Sequence, residues 1–133
     1  MKTQDEITTE IYRYVKASAL AAAVSGKVIN GKDRSPKSSL EDVVVKVLGG
    51  SLGQVQECYV NVNIYVPDTY HDGQYEKDDE RVPLLERTAM DLFEKPIHID
   101  AARITIDSQT TMPSNSGKEH VINNKLLYQI INE

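Results

Sequence analysis

The chain has 133 residues, 40% hydrophobic and 26% charged, so one domain spanning residues 1–133 is expected, long enough to bury a real core. A net charge of −5 disfavours a general nucleic-acid binder, which needs a basic face. A single cysteine excludes an internal disulfide, no stretch approaches the roughly 20 apolar residues of a membrane span, and the opening MKTQDEITTE is too polar for a secretory signal. A protein kept in a cytoplasm, with no membrane and no direct nucleic-acid partner, is the expectation.

Asp5 to Ala23 is predicted as the first helix. Ile7, Ile11, Tyr14, Val15 and Ala22 recur at helical spacing, and Glu6, Glu10, Arg13 and Lys16 point outward. Thr3 or Asp5 is the expected cap and Gly26 the stop. Lys27 to Asn30 is a short strand. Gly31 to Ser39 collects turn formers together with Lys32, Arg34 and Lys37, and reads as an exposed, basic hairpin or arm. Glu41 to Leu48 is a strand with Val43, Val45 and Val47 on one face and Lys46 on the other. Gly49, Gly50 and Gly53 are expected to turn the chain into its most regular stretch. From Cys58 to Val66 the residues alternate: Cys58, Val60, Val62, Ile64 and Val66 face one way, Tyr59, Asn61, Asn63 and Tyr65 the other. Pro67 has no N–H for a ladder and should end this strand. The two strands make an antiparallel hairpin.

Thr69 to Glu80, with Asp72, Asp78 and Asp79, reads as an acidic surface loop. Arg81 to Lys95 is the second helix, capped by Asp78 or Asp79, with Pro83 in its first turn and a stripe of Leu84, Leu85, Thr88, Ala89, Leu92 and Phe93. Ile97 to Asp100 is a short extended piece, Ala102 to Asp107 a strand, and Gln109 to Lys118 a polar loop. Glu119 to Ile131 reads as a last strand, with Ile122, Leu126, Tyr128 and Ile130 on one face and Asn124 as the defect. A helix also finds support there, because Ile122, Leu126 and Ile130 are four apart. The expected fold class is α+β: a mainly antiparallel sheet with two helices packed on one face, in the order α-β-β-β-α-β-β.

No pattern of residues points to catalysis. His71, His98 and His120 lack ligand spacing, and GxSxG, P-loop and GxGxxG motifs are absent. Cys58 falls on an apolar face and reads as an inert buried thiol. The carboxylates from Asp68 to Glu80 offer oxygen ligands for a divalent cation, but without the EF-hand pattern, and fit better as a solvated loop that also caps the second helix. No catalytic residue, cofactor or metal is expected. The tyrosines and asparagines on the polar face of the central strand suit a surface shared with another protein.

A first helix ending in small residues and SGKV, a polar arm with RSP, then EDVVVKVL, VNVNIYVPD and a long helix resemble the small tail-completion proteins of phages and prophages, and among them the tail-terminator family. The resemblance covers Ile7 to Ile131. It lies in the order of elements plus EDVVV and VNVNIYVPD, and it departs from the family in the acidic loop and the last strand. It implies a non-enzymatic structural protein: a homo-oligomeric ring, typically of six subunits, that caps the tail tube and docks the head connector. Such a protein works in the host bacterial cytoplasm during assembly and then in the virion. The resemblance implies subunit contacts through sheet edges and through Tyr59, Asn61, Asn63 and Tyr65. Lys32, Arg34 and Lys37, or Asp72, Asp78 and Asp79, would meet a neighbour or the tube. Two other readings stay open: an adaptor that binds one protein through the tyrosine-bearing face, and a small enzyme or ligand-binding domain on a ferredoxin-like sheet.

Overall fold

A computed structural model describes residues 2–52 and 56–130. The helical segment at the N-terminus is two helices, α1 (Gln4–Lys16) and α2 (Ala19–Ala23), where one was expected. The break falls at Ser18, which is extended and whose hydroxyl donates to Val15 O at 2.6 Å, drawing the backbone out of the helical path. Thr3 caps α1 in a reciprocal box with Glu6. Ala22 is exposed, and Leu20 supplies the buried contact of α2.

Strand β1 (Val28–Asn30) pairs parallel with β2 (Val43–Leu52), so residues 31–42 form a crossover and the arm is not a hairpin. Gly49 and Gly50 continue the β2 ladder where a turn was expected, beyond a bulge between Val47 and Gly49; Gly53 lies outside the described residues. β3 (Gln56–Pro67) pairs antiparallel with β2 and ends at its proline. The acidic segment contains a small hairpin, β4 (Thr69–His71) and β5 (Gln74–Glu76), in place of an unstructured loop. Its turn is Asp72-Gly73, both at positive φ (50° and 82°), the combination that a two-residue hairpin turn demands.

Helix α3 (Arg81–Phe93) follows, then β6 (Ile97–Ile99), β7 (Ala102–Pro113) and β8 (Glu119–Ile130). β7 runs six residues past Asp107, through the first half of the segment expected to be a loop, because β8 pairs with it as far as Pro113. The six-stranded sheet has the order β1-β2-β3-β8-β7-β6. The result is a single-domain α+β fold with, among the described residues, a mostly antiparallel sheet and three helices. Ile7, Ile11 and Val15 of α1, and Val82, Leu85, Ala89 and Phe93 of α3, share one core with the inward side chains of β3 and β8. Leu84, placed in the apolar stripe by its spacing, is 48% exposed, and Val82 takes the buried position instead. Fully burying a side chain of this kind stabilises by about 1.5–3 kcal/mol. Among the described residues no helix is long and apolar enough to cross a membrane.

Candidate interface: the polar sheet face and the loop end

The polar face of β3 is completed by β8. Tyr59 lies opposite Leu127, Asn61 opposite Lys125, Asn63 opposite Asn123 and Tyr65 opposite Val121. Lys125 Nζ stands 4.3 Å from the Tyr59 ring centroid. The Asn123 amide donates to Asn61 Oδ1 at 3.0 Å and to Asn63 Oδ1 at 2.6 Å, which fixes the three amides as one ladder. All four predicted side chains therefore share one surface, tied to β8 partners that the sequence pattern did not identify.

That surface runs into a cluster of loops where β3 ends and β8 begins. A cleft of about 540 Å³ is lined by Arg34, Pro36, Tyr65, Tyr75, Lys118 and Glu119, among others. A second, of about 600 Å³, adjoins it across Tyr65 and reaches Asn61, Asn63 and Asn123. The arm, the β4–β5 hairpin and the turn at residues 114–118 all border this end. Tyr70 (65% exposed) and Tyr75 (45%) meet edge to face at 5.0 Å on the hairpin.

The predicted charged residues divide into two kinds. Lys32, Lys37 and Asp79 are exposed, and so is Asp72 at the tip of the hairpin. Arg34 is spent inside the fold. Its guanidinium lies 4.5 Å from the Tyr65 ring centroid, donates to Asp42 Oδ2 at 3.1 Å and Glu119 Oε2 at 2.5 Å, and also reaches Leu40 O at 2.9 Å. This clamp holds the arm against the outer face of the sheet. Asp78 belongs to α3: its carboxylate accepts from Arg81 N at 2.9 Å and Glu80 N at 3.1 Å.

The residues that organise this end are Glu41 and Asp42, from the EDVVV stretch, and neither was singled out as a site from the sequence. Glu41 accepts both Nε and Nη2 of Arg81, each at 2.7 Å, and the N–H of Ser25 at 3.1 Å. Asp42 accepts from Lys27 N, Arg34 Nε and Ser38 Oγ. Burial pushes the Asp42 carboxyl up, but the hydrogen bonds from Ser38, Lys27 and Arg34 together outweigh it and hold the group below the usual carboxylate range. Two adjacent acids before a valine run are a weak signal, because an exposed strand end looks the same in sequence.

His120 Nδ1 lies 2.6 Å from the buried carboxylate of Asp68, while His71 and His98 are exposed. Cys58 is buried, and burial raises its thiol to about 11. Among the described residues no group of three or more histidine, cysteine or acidic side chains is arranged to hold a metal ion. Every buried side-chain nitrogen or oxygen among them has a hydrogen-bond partner. No protein-family model matches the chain, and no curated protein matches it.

Proposed function

We propose that this chain is a structural subunit of phage or prophage virion assembly, a ring-forming protein that caps a tail tube and docks the head connector in the manner of a tail terminator. The observation that carries this reading is the way the surface is divided. Residues of α1 and α3 share one core with the inward side chains of the sheet. The opposite face bears Tyr59, Asn61, Asn63 and Tyr65 beside Val121, Asn123, Lys125 and Leu127 of β8, and the loops gather at one end of it. A subunit with open strand edges at its sides and loops gathered at one end suits a ring that has neighbours on two sides and different partners above and below.

The charged loops refine this reading. The basic arm and the acidic hairpin border the same cleft, so they sit poorly for pairing with each other across a head-to-tail contact. Both are better placed to meet the tube or the connector, with Tyr70 and Tyr75 as aromatic anchors. Homo-oligomer formation, assembly in the bacterial host cytoplasm and a final place in the virion follow from the same proposal.

The test is elongation of purified tail-tube protein, from the phage that carries this chain, with and without excess chain. Tubes should stop growing and show added density at one end in electron micrographs. Lys32→Glu with Lys37→Glu should weaken end binding about tenfold, a cost of about 1.4 kcal/mol, and leave the fold intact, since both side chains are exposed. Tubes that grow equally long with excess chain would overturn the proposal.

A further inference from the structure

β2 and β7 are the outermost long strands of the sheet, and each is flanked for only part of its length. β1 pairs with Val43–Val45, and β6 with Ala102–Ile104. Among the described residues, Lys46–Leu52 of β2 and Thr105–Pro113 of β7 have no strand on their outer side. Such rows of unpaired N–H and C=O groups are templates for another strand, and edges are commonly blunted by lysine or proline. Here Lys46 begins one row and Pro113 ends the other, with no lysine or proline between.

We propose that these two rows pair with each other between copies of this chain, β7 of one subunit beside β2 of the next, so that the sheet continues around a ring. This deepens the ring reading above and rests on it. Strand direction agrees: three antiparallel steps separate β2 from β7, so a neighbour in the same orientation presents β2 antiparallel to β7.

Alternation agrees as well. Placing Lys46 opposite Met112 sets Val47 opposite Thr111, which keeps the outward pair outward and the inward pair inward. The bulge after Val47 adds a residue to β2, and the bulge after Ile106 adds one to β7, so Leu52 comes opposite Ile106. The short strands then act as end-stops. The neighbour's β2 finishes before the β6 ladder at Ile104, and its β1, paired with Val45 through Asn30, begins level with Pro113, so the pairing ends at Met112.

The register also supplies stagger. Lys46 is level with Ser108 through Asn61 and Lys125, so pairing it with Met112 shifts each neighbour four residues along the strands. Across the four long strands that is one residue per strand. An eight-stranded barrel of shear 8 has the same ratio and strands tilted by about 36°. Closure needs such a stagger. It would set the helices on the wider circumference and the Asn61–Asn63–Asn123 face toward the bore.

The test places Lys46→Cys and Met112→Cys in one chain. Lys46 is half-exposed and Met112 exposed, while the native Cys58 is buried and its thiol raised to about 11, which keeps it out of the reaction. Mild oxidation, at concentrations where light scattering finds multimers, should give a ladder of covalent oligomers on non-reducing gels. Each single variant should stay monomeric, and a mixture of the two should stop at dimer. Self-linking of either single variant would mean two-fold pairing and overturn the proposal. Multimers without a ladder, from this pair or from Lys46→Cys with Thr110→Cys, would overturn edge pairing and leave the ring reading standing. Absence of multimers at every concentration would overturn the ring reading and edge pairing together.

Discussion

Asp42 gathers donors from the backbone of Lys27, from Arg34 on the arm and from the Ser38 hydroxyl, and it is almost entirely buried while doing so. Its carboxyl titrates lower in the fold than in the unfolded chain. The stability it contributes is therefore fully present above the ordinary aspartate range and lost as pH falls through the folded value. Acid unfolding should show this: Asp42→Asn should lower stability at neutral pH by about 1.5–3 kcal/mol, because a hydrogen bond to a charged partner is lost while Arg34 keeps Glu119. The variant should also lose that part of the acid-limb slope. Urea melts at pH 7 and at pH 3 measure both effects. Gly26 belongs to the same knot. A Cβ there would meet Asp42 Oδ1 and Glu41 O, so the glycine is required by close approach, although its sequence position suggested a helix stop. Gly26→Ala should lower the midpoint of thermal unfolding by several degrees, about 4–8 °C per kcal/mol at the size of a 60–100-residue domain and somewhat less here. An unchanged midpoint would show that the knot can open without cost. Little of this was legible in the sequence. Glu41 and Asp42 read as the polar start of a strand, and only the three-dimensional convergence of Arg34, Arg81 and Ser25 makes them buried acids.

At the level of elements, the strands with strict alternation were legible and the mixed ones less so. β3 follows the alternation of QECYVNVNIYVP from Gln56 to Pro67, because one of its faces is buried and a one-residue slip would expose every valine. β8 carries Asn124 on its buried face, and the defect is resolved by two hydrogen bonds: its amide donates to Val62 O at 3.1 Å and its carbonyl accepts from Gln109 at 2.8 Å. That same Gln109 lies in the part of β7 that was expected to be loop. Its polarity comes from pairing with a buried asparagine and with Glu86 O, and solvent is not the reason for it. The β4–β5 hairpin had a usable signal, Asp72-Gly73 between Tyr70 and Tyr75, hidden by the surrounding acids. The carboxylate of Asp78 accepts from the first N–H of the helix that follows, Arg81 N, and from Glu80 N just before it. Asp78→Ala should cost about 1 kcal/mol, within the usual range for a cap. Chemical denaturation checks this, and Asp79→Ala, whose side chain is exposed beside Lys77, should stay near zero.

For the whole molecule, the length pointed to one domain, but the place of β8 beside β3 could not be read along the chain. β8 inserts between β3 and β7, which joins the two halves of the sheet through a pair distant in sequence, and β1 joins in parallel, while the remaining neighbours follow one another along the chain. That topology decides where the polar face, the loop end and the two open edges stand relative to one another. The open edge of β2 runs away from the loop end, while that of β7 reaches it at Met112 and Pro113, which also line the second cleft, so a neighbour on β7 would stand beside whatever docks at the loops. The most direct measurement of this account is the mass of the purified chain by light scattering across a concentration series, with the same samples imaged by electron microscopy. A ring-forming chain gives masses at a fixed multiple of 14.9 kDa, larger than a dimer, and ring-shaped particles with a central hole. A compact dimer at all concentrations, or a monomer that never associates, would contradict the ring reading.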